Sequence, residues 1–431
     1  MRGDQRGAEL KFPIKSMQHM KHLMIALLLT ASHPLFLTGQ EQDSKRALTL
    51  QAPDIYFNPE EAQYSGNRRM FQGIPAIERT RDGRLWAGYF SGGTGEGGPN
   101  NYVILITSGD DGITWSDLKV VVDVPGPVRT DSPNLWIDPS GKLWFFWTQS
   151  YQESNAWVNC GTWAMVTENP GDADPDWSEP RRLFEGTMFN KPMVLSNGDW
   201  LFPNNLRQHL SGYAGDIRTE NGGSIQVPEI PSTMTVMTLQ GEDLVYRGMA
   251  ETTDSADFAS ASEPMIVELD DGRLWMLLRI RYGMGESFSS DGGRTWSPIE
   301  PASIKHTASR FFLRKLRSGN LLLVKHGPID QRTHRELLTA YISTDNGKTW
   351  KGGLMLDERH PVSYPDGVQA PDGRIYIIYD HGRYPGTARE ILMAVFTEED
   401  VLAGKPSADT RLKVVISKSL EPLCAQEKSF K

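Results

Sequence analysis

Hydrophobic and polar positions along this 431-residue chain fall into one unit that recurs six times. Each unit pairs a Gly-centred turn with a run of aromatic and aliphatic residues. The six are "RDGRLWAGYF" at Gly83, "PSGKLWFFWTQ" at Gly141, "SNGDWLFPN" at Gly198, "DDGRLWMLLRI" at Gly272, "RSGNLLLVKH" at Gly319 and "PDGRIYIIYDHG" at Gly373. Asp-Gly, Ser-Gly and Asn-Gly turns beside such runs predict hairpins. Another short apolar segment precedes each turn, for example "IPAIERT", "NLWIDP", "PMVLS" or "PMIVELD". The six glycines are 58, 57, 74, 47 and 54 residues apart, enough for four short antiparallel strands per unit. Six units predict an all-β fold, a six-bladed β-propeller of four-stranded antiparallel blades.

A second repeat is laid over the first. "TSGDDGITWSD" holds Ser108, Asp110, Gly112, Thr114 and Trp115, and the same order recurs in "SFSSDGGRTWSP" and "ISTDNGKTWKG". The three boxes fall 27, 19 and 26 residues beyond Gly83, Gly272 and Gly319. Asp and Ser side chains in this spacing bond nearby backbone amides, Gly takes a positive φ, and Trp fills the space between sheets. A turn repeated at equivalent places belongs to the blade periphery, so the box reads as scaffold. The second unit keeps only "DWSEP" around Trp177 and the third has none. Near the C-terminus, "FTEEDVLAG" predicts a short helix with Thr397 as N-cap and Asp400 in the first turn.

Composition narrows the class. Twelve tryptophans and 41 glycines suit an all-β chain rich in turns. The formal charge is −9 and Lys and Arg form no stripe, which excludes a nucleic-acid partner. Lys21 followed by "LMIALLLTA" reads as a secretory signal. The apolar run from Leu23 to Leu37 is 15 residues, broken by His33 and Pro34, too short to span a bilayer. Cleavage between Ala31 and Gln40 removes five basic and two acidic residues and leaves a periplasmic or extracellular chain of charge about −12. No Cys follows the run to carry a lipid. The expected organisation is a leader over residues 1–38, a propeller over 47–405 and a tail over 406–431. Cys160 and Cys424 are open to pairing or to remaining apart. Asp172, Asp174 and Asp176 resemble a calcium loop without its glycine and closing glutamate, and read as a solvated turn.

Six blades with three boxes resemble the sialidase (neuraminidase) superfamily, in particular bacterial exo-sialidases with Asp-box (BNR) repeats, over roughly residues 50 to 405. "SEPMIVELDDGRLWMLLR" is similar to the family segment that carries a catalytic glutamate and, sixteen residues on, a binding arginine, here Glu263 and Arg279. "RELLTAYISTDNGKTW" resembles the segment with another binding arginine eight residues before the box, here Arg335. "VSYPDGVQAPDGRIYIIYD" resembles the nucleophile segment, with Tyr364 as the tyrosine. "GEGGPNNYVILITSGDDG" resembles the acid/base segment, where the family has an aspartate and this chain has Glu96. One departure stands out: the first arginine of the family falls at Gly73, in "FQGIPAIERT". Either another arginine, with Arg310 or Arg281 the best placed by sequence, makes good that loss, or the corner accommodates a different sugar for which glycine supplies room rather than charge. Lys191 in "FNKP" is a further substrate-binding candidate. His381 and Arg383 read as rim residues.

The chemistry of these residue types is coherent. A sugar bearing a carboxylate on its anomeric carbon repels a carboxylate nucleophile, whereas a phenol is neutral. A tyrosine of pKa about 10 needs a base to attack, which pairs Tyr364 with Glu263. Glu96 then serves the leaving oxygen, and arginine forks suit a planar carboxylate. The reaction calls for no metal or cofactor. Two other readings share the scaffold: an exo-glycosidase for a uronate, another ulosonate or a deoxyhexose, and a propeller that binds glycans without cleaving them.

Overall fold

The computed structural model describes residues 39–419, apart from 67, 94, 97, 99–100, 154–155, 207–215, 219–223, 227–232, 252–260 and 384–388. The leader and Cys424 therefore lie outside the described residues; Cys160 is buried. The chain divides after Ser44 into two units, and the propeller belongs to the second, Lys45–Lys431. No helix among the described residues is long and apolar enough to cross a membrane.

Six sheets form the blades, each running inward to outward in chain order. Blade 1 is Phe71–Arg79, Leu85–Gly92, Asn101–Ser108 and Val120–Asp123, with Asp54–Phe57 added on its outer edge. Blade 2 is Val128–Ile137, Leu143–Glu153, Ala156–Thr167 and Arg181–Glu185. Blade 3 is Met193–Val194, Trp200–Leu206, Thr233–Gln240 and Asp243–Glu251. Blade 4 is Ser262–Glu268, Leu274–Ile280, Gly283–Ser289 and Glu300–Pro301. Blade 5 is Phe312–Lys315, Leu321–His326, Leu338–Ser343 and Lys351–Asp357. Blade 6 is Val362–Gln369, Ile375–His381, Glu390–Phe396 and Arg411–Lys418. All ladders within the blades are antiparallel, and the inner strand of blade 1 lies against those of blades 2 and 6, closing the ring.

The six turn glycines join first and second strands in every blade, and all have positive φ, from 80° at Gly272 to 108° at Gly83. A residue with a Cβ is disfavoured there, which is why the turn signal was so regular in the sequence. Apolar residues of the strands fill the seams between blades. Trp86, Phe90, Leu135, Phe145 and Trp147 fill one seam, between blades 1 and 2. Tyr89, Ile104, Tyr376, Ile378 and Met393 fill another, between blades 1 and 6. Trp86 is fully buried, and truncating such a side chain to Ala typically costs about 3–5 kcal/mol.

The boxes lie between third and fourth strands in blades 1, 4 and 5. Ser108 Oγ donates to Asp110 (2.8 Å) and accepts from the Gly112 amide (2.9 Å), while Asp110 accepts from the Thr114 amide (2.9 Å). The boxes at Asp291 and Asp345 repeat the same bonds. Trp115, Trp296 and Trp350 pack on three different apolar clusters. In blade 2, Trp177 meets Trp86 edge-on at 6.0 Å. Blade 3 has no room for a box, because Gln240 pairs directly with Asp243 around Gly241. Blade 6 substitutes the helix Glu398–Ala403, with a capping box between Thr397 and Asp400 and Gly404 as its left-handed C-cap.

The C-terminal boundary differs from expectation. Arg411–Lys418 is not tail but the outer strand of blade 6, paired with Glu390–Phe396. An outer strand is half-exposed and follows no turn of the recurrent type, so its pattern, "RLKVVISK", carries no aromatic run to betray it. Asp174 accepts from Asn58 (3.0 Å) and from Lys119 (2.7 Å).

Candidate active site

Four inner strands share one irregularity. The ladder skips two residues at Ile74–Pro75, Ser132–Pro133, Glu263–Pro264 and Tyr364–Pro365. Proline has no N–H to give to a ladder, and the residue before it takes φ of 49°, 50°, 58° and 55° in turn. Such values are strained for a residue with a Cβ, and more so before proline. Side chains from outside the strand hold two of these bulges. Asn190 Nδ2 donates to the carbonyls of Glu263 and Pro264 (both 3.0 Å), and Asp380 accepts from the Ile74 amide (2.9 Å). The bulges lie at the starts of the inner strands, whereas turn glycines and boxes lie at the other end of the antiparallel ladders.

Two bulges present reactive side chains to each other. Tyr364 Oη lies 3.3 Å from Glu263 Oε1, and Arg279 Nη1 donates to both, at 3.2 Å and 2.9 Å. Tyr364 and Glu263 are 6% and 3% exposed. Glu263 Oε2 is buried without a hydrogen-bond partner among the described residues. Burial alone would push the Arg279 guanidinium down, but Glu263 and Tyr364 outweigh it and hold the group above its ordinary value.

Loops between second and third strands supply the rest. Arg335 lies 5.5 Å from the centre of the Tyr364 ring and donates to the Ala308 carbonyl (3.3 Å). Its own carbonyl accepts from the Val362 amide, two residues before the tyrosine (2.8 Å). The loop starts from Lys325, whose buried ammonium donates to the carbonyls of His326 (2.6 Å) and Gly327 (2.9 Å) and which burial pushes down to about 7. Glu96, half-exposed in the glycine-rich loop of blade 1, is bonded to Arg383 of blade 6. Arg383 in turn lies 4.3 Å above the Tyr364 ring.

Five sequence candidates therefore meet at one place: Tyr364, Glu263, Arg279, Arg335 and Glu96. Three are placed elsewhere. Lys191 is buried, donating to the carbonyls of Ile77 (2.7 Å) and Leu135 (2.6 Å) and pairing with Asp366 (3.2 Å) and Glu78 (3.3 Å). Its charge is spent tying inner strands together. Arg310 is fully buried, with Asp366 as its nearest carboxylate at 3.5 Å. Arg281 is exposed in a turn beside the Tyr282 ring. Arg310 Nε, Nη1 and Nη2 have no hydrogen-bond partner among the described residues, and neither Arg310 nor Arg281 is among the groups nearest Gly73. The residues beside Gly73 are Arg383 and Asp380: a Cβ built on Gly73 would lie 3.3 Å from Arg383 Nε and 3.2 Å from Asp380 Oδ2. Sequence reasoning set Arg383 at the rim and passed over Asp380 and Asn190. The glycine at 73, where a cation is expected, points by sequence to Arg310 and Arg281 and not to Arg383.

A six-bladed propeller with a tyrosine, two carboxylates and arginines gathered at one end defines the class. The chain belongs to the BNR repeat-like domain family, which matches residues 83–377. The fold is shared with an intramolecular trans-sialidase from Ruminococcus gnavus solved with oseltamivir carboxylate (13% identity, TM-score 0.58, 81% of this chain and 98% of that one). It is shared with a Dyadobacter fermentans protein of unknown function (15%, 0.57, 79% and 98%). It is shared too with a Penicillium chrysogenum alpha-L-arabinanase complexed with arabinobiose (14%, 0.54, 82% and 99%). No curated protein sequence matches the chain significantly.

Proposed function

We propose that this protein is an exported, retaining exo-glycosidase that removes a terminal acidic sugar, sialic acid first among them, through a tyrosyl intermediate. The observation that carries the reading is the contact of Tyr364 with Glu263 (3.3 Å), both held on strained bulges and both bonded to Arg279. The bulge backbone is common to four blades, and only at Glu263 and Tyr364 does it present a carboxylate and a phenol to each other. The apolar leader supports export.

In the proposed reaction the phenolic oxygen bonds to the anomeric carbon while Glu263 Oε1 takes the phenolic proton. The bond to the leaving oxygen breaks with its electron pair, and Glu96 gives that oxygen a proton. Arg279 Nη1, beside the phenol, stabilises the charge that develops on its oxygen. In the second half Glu96 takes a proton from water, the water oxygen displaces the tyrosine at the anomeric carbon, and Glu263 returns its proton to Tyr364. Two inversions give retention.

A propeller that only bound glycans would have no use for a base buried against a phenol. The test is a panel of aryl glycosides of sialic, glucuronic and rhamnosyl type, with the first-formed sugar anomer followed by NMR. Release from an acidic glycoside with retained configuration is the expected result. An inverted product, or a folded protein inert to the whole panel, rejects the mechanism.

A further inference from the structure

We infer that Arg383 is a carboxylate-binding arginine of this site, delivered from blade 6 into the space that Gly73 leaves on blade 1. The inference rests on the reading of the site as one for an acidic sugar and names the group that selects the acid.

Three observations carry it. The first is space. Gly73 lies within 3.3 Å of Arg383 Nε, measured from where its Cβ would be, so any larger residue at 73 presses on the guanidinium. A Cβ there would ask Arg383 or Asp380 to give by a few tenths of an ångström, and a longer side chain would compete with the guanidinium for the corner.

The second is position. Arg383 Cζ lies 4.3 Å from the centre of the Tyr364 ring, nearer than Arg335 at 5.5 Å, so a permanent cation rests on the face of the proposed nucleophile. A carboxylate on the carbon that Tyr364 attacks would fall within reach of Arg279, Arg335 and Arg383 together.

The third is unspent capacity. The Arg383 side chain is 5% exposed, yet Nη1 has no hydrogen-bond partner among the described residues. Nη2 is bonded to Glu96, and Nε faces Asp380 at 3.6 Å. Leaving a buried guanidinium N–H without an acceptor is costly, and a ligand carboxylate removes the cost. Asp380 makes the placement firm: it is fully buried and accepts from Ser363 Oγ (2.8 Å) and from the Ile74 amide (2.9 Å). Burial would lower the Arg383 guanidinium, but Glu96, Asp380 and Tyr364 outweigh it and keep the cation charged. Because Glu96 shares this guanidinium, an acid bound at Nη1 sits between the proposed nucleophile and the proposed proton donor.

The experiment is isothermal titration of the full chain with N-acetylneuraminic acid, glucuronic acid and the methyl ester of each. The proteins are the parent, Arg383→Ala, Arg383→Gln, Gly73→Arg and the exchange Gly73→Arg/Arg383→Ala, with thermal melting as the folding control. The parent is expected to prefer at least one acid over its ester. Arg383→Ala should weaken that acid by about ten- to a hundredfold, the range of a charge-assisted hydrogen bond, and leave the ester nearly unchanged. Gly73→Arg alone should bind poorly through crowding, and the exchange should recover part of the loss. Should the Ala variant fail to fold, Arg383→Gln, which keeps bulk and loses charge, gives the same comparison. The proposal is overturned if the parent binds neither acid or shows no preference for acid over ester. It is equally overturned if the Arg383 variants weaken acid and ester alike, the mark of a structural role, or weaken neither. A parent that binds acid through Arg383 but releases no sugar leaves this inference standing and removes the glycosidase. Turnover of uncharged glycosides unaffected by Arg383→Ala does the reverse.

Discussion

At one end of the blades, loops between third and fourth strands repeat a turn whose side chains serve the turn itself. At the other end, four inner strands repeat a bulge whose side chain differs in every blade. Ser108, Asp110 and Thr114 bond within their own loop, and the boxes at Asp291 and Asp345 copy those bonds almost to the tenth of an ångström. At the bulges the backbone is the copied part, and Ile74, Ser132, Glu263 and Tyr364 fill it with unlike chemistry. Repetition with the same side chain marks a part each blade needs for itself. Repetition of a backbone with varied side chains marks a frame on which a central site is assembled.

The largest expected effect breaks the bulge end. Tyr364→Phe should lower turnover of any true substrate by at least about 10³-fold, since the ring still packs while the attacking oxygen is gone. Its melting temperature should stay close to that of the parent. Unchanged turnover in steady-state assays would make the tyrosine structural.

Next comes Lys191→Met, which tests whether the inner strands beneath the bulges depend on a buried cation for stability. Its ammonium pairs with Asp366 and Glu78 and caps two carbonyls, all buried. Removing one partner of a buried ion pair costs about 3–5 kcal/mol, so a large fall in the urea midpoint is expected. Intact stability with lost sugar binding would return Lys191 to the list of substrate ligands.

A smaller effect is expected at the box end. Ser289 is buried and bonds Asp291 and the Gly293 amide, both at 2.9 Å. At about 0.5–1.5 kcal/mol per bond, Ser289→Ala should cost about 1–3 kcal/mol of stability and leave turnover per folded molecule alone. Lost turnover at unchanged stability would erase the distinction between the two ends.

The smallest effect is the acid response of the boxes. Hydrogen bonds from Thr114 and Thr349 hold Asp110 and Asp345 down at about 2; at Asp291 burial pushes up, but the bonds of Thr295 and Ser289 prevail and it too stands at about 2. These values lie below the ordinary carboxylate range near 4. The boxes therefore contribute fully above about pH 4 and lose that contribution as pH falls towards 2. Asp345→Asn should flatten the fall of melting temperature across that window, and an unaltered slope would mean the box carboxylates do not act through their charge.

The amino-acid order by itself determined the architecture, because its causes are local. A turn glycine forced to positive φ and an apolar run beside it announce each blade within about ten residues, and a box within eight. Glu263, Tyr364, Arg279 and Arg335 were expected at one site only through the resemblance of their segments to those of a known family; taken alone, a tyrosine or glutamate before a proline, or an arginine near a turn, reads equally well as structural. The strand Arg411–Lys418 was not legible, because its place comes from pairing with Glu390–Phe396 rather than from any pattern of its own. Only the tertiary structure decided among the cations. Lys191, Arg310, Arg281 and Arg383 look alike along the chain, and what separates them is which carboxylate each meets when the ring closes: Glu78 and Asp366 for Lys191, Asp366 for Arg310, none near Arg281 among the described residues, and Glu96 with Asp380 for Arg383. Blades 1 and 6 meet only on closure, so the approach of Arg383 to the space beside Gly73 spans 310 residues and leaves no local trace except a glycine.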